Sequence, residues 1–180
     1  MFRFTGLMVG ILLASAAGPD PVLAQSGVQL TQSFRADLRG FSEVPSISTS
    51  GEGRFEADLN PQDGSLEYTL RYSGLKSAVT QAHIHFSQAA TNGGIVVFLC
   101  SNLQGAPAGT QACPTGDGEI SGVIAAVNVL GLADQGLDPG AFNQLLQAMF
   151  DRATYANVHT EGHGAGEIRG QITPQTGVGG

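Results

Sequence analysis

The chain has 180 residues, 42% of them hydrophobic and 13% charged, which allows one domain with a substantial core and fits neither a membrane-embedded nor a disordered composition. Its net charge of −7 at neutral pH, with no local cluster of Lys or Arg, excludes nucleic acid and anionic lipid as partners. Twenty-six glycines, no tryptophan and a single lysine, Lys76, indicate short strands joined by tight turns, and so an all-β class.

Residues 1–24 read as a secretory signal. Arg3 lies in a short n-region, an apolar run covers 7–17, and Val22-Leu23-Ala24 offers a small-residue cleavage site before Gln25, with a competing cut after Ala16. The run is too short to span a bilayer and is broken by Gly18, Pro19 and Pro21, so no membrane insertion is expected after its removal. The expectation is a periplasmic or secreted protein whose residues 25–180 form a single β domain, with an ordered core over 29–173.

From Gln29 onward, segments with period-two alternation are separated by glycine-rich punctuation, about eight strands in all. Phe34, Ala36 and Leu38 share one face of the first; Phe55, Ala57 and Leu59 share one face of the next. Asn60-Pro61-Gln62-Asp63-Gly64 is a hairpin turn signal, followed by Leu66, Tyr68, Leu70 and Tyr72 in alternation. The continuous apolar run 95–99 reads as a buried strand, and further strands are expected over 118–129, 155–160 and 167–172. After Asp138, a helix N-cap with Pro139 at the first helical position, Phe142, Leu145, Leu146 and Met149 recur at helical spacing, so one amphipathic helix is expected over 139–151. The tail from Pro174 reads as frayed.

Cys100 and Cys113 bracket a Gly- and Pro-containing stretch, and in an oxidising compartment this pair reads as a disulfide. A thiolate metal site or redox pair is the weaker alternative, since there is no C-x-x-C spacing.

The four histidines fall into two tight clusters. In Gln81-Ala82-His83-Ile84-His85-Phe86 the strand period puts Ala82, Ile84 and Phe86 on the core face and both histidines on the opposite, surface face. Rings two residues apart on a strand stand roughly 6.5–7 Å apart and can tilt toward one ion; the alternative is a pair of solvated polar-face residues. The second cluster holds His159, sharing the exposed face with Asn157, and His163, in a glycine-flanked loop. His83, His85 and His159, with His163 as a candidate fourth, form a site suited to a transition metal, copper first and zinc second. Glu43, Glu161 and Glu167 are candidate ring-orienting groups around it, although Glu43 and Arg169 read equally well as structural polar groups paired with each other.

The order Phe34-x-Ala36-x-Leu38-x-Gly40-x-x-Glu43-Val44-Pro45, Gly51-x-Gly53, Ala82-His83-Ile84-His85, Asn157-Val158-His159-Thr160 and Gly166-Glu167-Ile168-Arg169-Gly170-Gln171 resembles the CHRD domain, first recognised in chordin and common in exported bacterial proteins, over residues 31–173. The resemblance implies an antiparallel Greek-key β-sandwich or barrel. In chordin such domains belong to an extracellular antagonist of growth factors, so a protein- or matrix-interaction module without metal is the rival function. His163 stands outside the family pattern. A looser, architectural similarity to copper-zinc superoxide dismutase implies His83, His85 and His159 as copper ligands and Arg169 as an anion-guiding residue, but no metal-bridging histidine or zinc-loop set is present. No Gly-x-Ser-x-Gly elbow, phosphate loop or carboxylate dyad stands out.

Overall fold

The computed structural model describes residues 32–176; the expected export signal lies outside them. Nine strands and one α-helix follow in the order β1 (Gln32–Arg39), β2 (Glu52–Asn60), β3 (Ser65–Ser73), β4 (Val79–Phe86), β5 (Gly94–Ser101), β6 (Gly118–Ile124), α1 (Phe142–Phe150), β7 (Thr154–Thr160), β8 (His163–Gln171) and β9 (Thr173–Thr176). The fold is nearly all-β, as the alternation predicts. Among the described residues no helix is long and apolar enough to cross a membrane.

The strands form one antiparallel sheet in the order β5-β4-β7-β8-β1-β2-β3-β6, with β9 pairing beside β8 on β1. Strand β7 returns to lie between β4 and β8 instead of beside β6, a non-neighbour return of Greek-key character. The sheet curls until β5 and β6 face each other across a seam. Tyr68 Oη donates to Leu99 O (2.9 Å), and Gln111 Nε2 donates to Leu99 O (3.2 Å) and Ser121 O (3.1 Å), so side chains stand in for the missing ladder. Gln111 is carried by the loop that the Cys100–Cys113 disulfide closes, S–S 2.08 Å. Closing a loop of this size contributes roughly 3 kcal/mol through the unfolded chain.

Inside, Phe34, Leu38, Phe55, Leu66, Leu70, Ile84, Leu99, Ile124, Ile168 and Ile172 are fully buried. Each such side chain contributes roughly 1.5–3 kcal/mol of transfer free energy. The helix starts later than expected: Gly140 adopts φ +79° and donates its N–H to Val129 O (2.9 Å), so Asp138 and Pro139 belong to a turn and Ala141 is the N-cap. Its buried residues Phe142, Leu145, Ala148 and Met149 close one part of the core, and Phe150 meets Phe34 edge-on at 4.9 Å. The tail also differs from expectation, since Pro174 pairs with Phe34 within β9.

Candidate metal centre

The histidines are not on the surface. His83 is 0% exposed, His85 8% and His159 6%, while their strand neighbours Ala82, Ile84 and Val158 are also buried. The alternation assigns the faces correctly, because Ala82, Ile84 and Val158 join the apolar core and the histidines face the other way. The correction concerns what lies over that second face. It is covered by the turn at 40–45, the loop at 87–93 and the bulged start of β8, whose atoms make the contacts below.

Irregularities in the ladders flank all three rings. The β4–β5 register shifts between Ala82 and His83 and again between Ile84 and His85, leaving Leu99 and Val96 as extra residues on β5. The β7–β8 register jumps from Val158↔Ile168 to Thr160↔His163, so His159 is skipped and residues 164–167 bow out opposite it. Bulges of this kind re-aim side chains and free backbone carbonyls. Two backbone carbonyls orient rings, one in the loop before β5 and one in the β8 bulge: His85 Nδ1–H donates to Gly93 O (2.9 Å) and His159 Nδ1–H to Gly164 O (3.0 Å). A carbonyl only accepts, so each of these neutral rings keeps its lone pair on Nε2. His83 Nδ1–H then donates to His159 Nε2 at 3.1 Å.

One nitrogen from each of His83, His85 and His159 lies within 4.8 Å of the others. Nitrogens around a tetrahedral ion at roughly 2.0–2.1 Å stand roughly 3.3 Å apart. The three nitrogens thus stand somewhat wider than that spacing and come within reach of one ion as the rings close in on it. His83 Nε2 and His85 Nε2 are buried without a hydrogen-bond partner. Burial, together with the neighbouring rings His159 and His85, holds His83 down to about 2, and burial holds His85 down to about 4 despite its bond to Gly93. Burial lowers His159 as well. The rings are thus neutral at physiological pH, the form that ligates a metal.

The shell is mostly aromatic and cationic. Tyr155 stacks flat on His85 (centroids 4.8 Å, 2° between planes), and the Arg169 guanidinium sits 4.3 Å from the Tyr155 centroid. Arg169 is 3% exposed and is held by Ser42 O (2.7 Å), Thr91 O (3.1 Å) and Asn92 Oδ1 (3.0 Å). Its Nε lies 3.9 Å from Glu43 Oε2, at the edge of an ion pair. Burial pushes the Glu43 carboxyl up to about 7 against the pull of Arg169. Phe98 meets His83 edge-on at 4.4 Å.

Of the expected orienting acids, none touches a ring. Glu161 lies exposed in the β7–β8 turn. Glu167 is buried but works as a clasp, accepting from Thr49 Oγ1 (2.6 Å), Lys76 N (2.9 Å) and Thr160 Oγ1 (2.8 Å). Burial pushes its carboxyl up, and these bonds outweigh that and hold it below the usual range. His163 pairs with Thr160 at the mouth of the hairpin, half-buried, and is not a member of the three-histidine group. The sequence assigns no role to Tyr155 or Gly166 and places Asn157 on the surface; for Asn157 and Gly166 the Asn157–Thr160 and Gly166–Gln171 motifs were the available signal, and Tyr155 lies outside both.

Comparison with curated proteins and with solved structures gave no significant match. The CHRD domain family model matches residues 34–172, a span that runs from the first core residue of β1 to Ile172 and includes all three clustered histidines. The chain is therefore a member of the CHRD domain family.

Proposed function

We propose that this protein binds a transition-metal ion through His83, His85 and His159, copper in preference to zinc, and acts outside the cytoplasm in redox chemistry, metal storage or metal delivery. The observation that carries the reading is the convergence of three neutral, buried imidazoles whose Nδ1–H groups at His85 and His159 are tied to carbonyls, which aims their Nε2 lone pairs inward. Two buried nitrogens without a partner are a cost of roughly 1–3 kcal/mol each, and a metal ion removes it. An interaction module with incidental histidines has no use for that cost. Imidazole donors without a thiolate or carboxylate suit copper and zinc, and copper stands above zinc in intrinsic affinity for such a site.

Dialysis of residues 25–180 against Cu(II) or Zn(II), followed by elemental analysis, tests this. One equivalent of copper is expected for the wild type and for His163→Ala, with less than a tenth of an equivalent retained by His85→Ala under the same conditions. Substoichiometric metal that ignores His85→Ala would defeat the reading. A superoxide-dismutation assay of the copper-loaded protein then separates an enzyme from a carrier.

A further inference from the structure

The three histidines leave one coordination position to be filled, and the structure places a fourth donor beside them. Asn157 is 2% exposed and follows the same face of β7 as His159, two residues away. It is the direct cross-strand partner of His83. Yet Asn157 Oδ1 is buried with no donor to accept from, in the company of the two unpartnered nitrogens His83 Nε2 and His85 Nε2. Three buried electron-pair donors on one face of paired strands, none of them given a proton by a neighbour, are costly as they stand and well matched to a cation.

We propose that Asn157 Oδ1 is the fourth ligand, closing a three-nitrogen, one-oxygen centre; this rests on the metal-binding reading above. The other end of the amide lies toward the bulge at Gly166. The point where a Gly166 Cβ would stand is 2.5 Å from Glu43 Oε1 and 3.1 Å from Asn157 Nδ2, so the amide nitrogen faces the Glu43 carboxylate side of the shell across a residue that has no side chain. Gly166 adopts φ +125°, which glycine alone accepts easily. Gly166 is therefore a positioning residue: its lack of a side chain leaves room for the Asn157 amide nitrogen and the Glu43 carboxyl around one point. An amide oxygen is a weak fourth ligand to copper beside stronger equatorial donors. A centre filled in this way has no open position for substrate, which favours storage or delivery within the proposed function over catalysis at the ion. His163 is not needed to complete it.

The test uses residues 25–180 loaded with Cu(II), read by electron paramagnetic resonance in ordinary and oxygen-17-labelled water, with copper stoichiometry measured on the same samples. The wild type is expected to show no oxygen-17 broadening, because Asn157 occupies the position. Asn157→Ala is expected to keep one equivalent of copper, lose about tenfold in affinity and acquire the broadening as water enters. Asn157→Leu fills the space with carbon and is expected to shift the copper spectrum without broadening; should it fail to fold, wild type and Asn157→Ala decide the matter. One equivalent of copper with oxygen-17 broadening already in the wild type, or a spectrum that Asn157→Ala leaves unchanged, would overturn the assignment and leave the three-histidine site standing. Failure of the wild type to bind copper at all would overturn both.

Discussion

Two parts of the same sheet carry the same period-two pattern and end in opposite surroundings. On β2 and β3, Phe55, Ala57, Tyr68, Leu70 and Tyr72 enter the core, while the alternate residues join those of the flanking β1 and β6 in an exposed charged ladder: Arg35 and Arg54 on Asp37, and Arg71 between Glu56 (3.2 Å) and Glu119 (2.6 Å). On β4 and β7, Ala82, Ile84 and Val158 enter the core in the same way, but the alternate residues His83, His85, Asn157 and His159 are buried as well. Alternation states which residues share a face. It does not state what covers the face, and here the cover turns a polar stripe into a dry donor cluster.

The largest effect expected from disturbing that difference is at Gly166. Alanine there combines a strained φ of +125° with a Cβ at 2.5 Å from Glu43 Oε1, and the neighbours are buried groups with little freedom to move. Backbone strain alone costs about 1–3 kcal/mol, and the clash adds to it, so Gly166→Ala should lower the melting temperature by roughly 10 °C or more. Gly64→Ala, in the β2–β3 turn at φ +62° with nothing within 4 Å, is the matched control, with a cost of about 1 kcal/mol. Equal losses at the two sites, measured by thermal melts, would mean that the cover over the histidines is not tight.

Acid should act next, and through the histidine half. His83 and His85 bind protons less readily folded, at about 2 and about 4, than in an unfolded chain, where the usual value is 6.5. The unfolded state thus takes up more protons as pH falls below about 6.5, and the stability present at neutral pH is lost progressively down through the folded values. Glu43 acts in the opposite sense: its carboxyl is at about 7 folded against 4.5, so its contribution is complete in acid and lost as pH rises through 7. Metal-free protein should therefore melt highest near neutrality and lose roughly 5 °C between pH 7 and 5, the histidine loss being partly offset by Glu43. His83→Leu should flatten the acid side, and Glu43→Gln the alkaline side. A wild-type profile flat from pH 7 to 5 would show that the rings are solvated.

How far the sequence disclosed all this follows from the same contrast. The β2–β3 hairpin is legible because Asn60-Pro61-Gln62-Asp63-Gly64 is a local signal, and Gly64 indeed takes a positive φ. The Cys100–Cys113 pairing is legible from spacing and count. The grouping of His83, His85 and His159 is legible from strand phase, since three residues on one face of paired strands must lie near each other. Their burial is not, because it depends on the turn at 40–45 and the bulge at 164–167 folding over them from distant parts of the chain. Nor are the groups that orient the rings, because Gly93 O and Gly164 O are backbone atoms and no side-chain pattern announces them. The later start of α1 and the inclusion of Pro174 in β9 have the same origin: Gly140 answers to Val129 and Pro174 to Phe34, contacts far off in sequence.

The smallest effect belongs to the charged ladder, and its smallness is informative. Arg71 bonds Glu119 and Glu56 at good distances, but all three side chains are about half exposed, at 53%, 53% and 43%. Exposed pairs of this kind are worth about 0.2–1 kcal/mol and are screened by salt, so Arg71→Ala should cost less than about 1 kcal/mol, with most of that gone at roughly 1 M salt. Copper stoichiometry should be unchanged, since the ladder lies on strands that do not touch the rings. A loss of copper in Arg71→Ala, measured by the same dialysis, would show that the two parts of the sheet are energetically coupled through β1 and β8; an unchanged value locates the donor cluster entirely in β4, β7, the start of β8 and the turn that covers them.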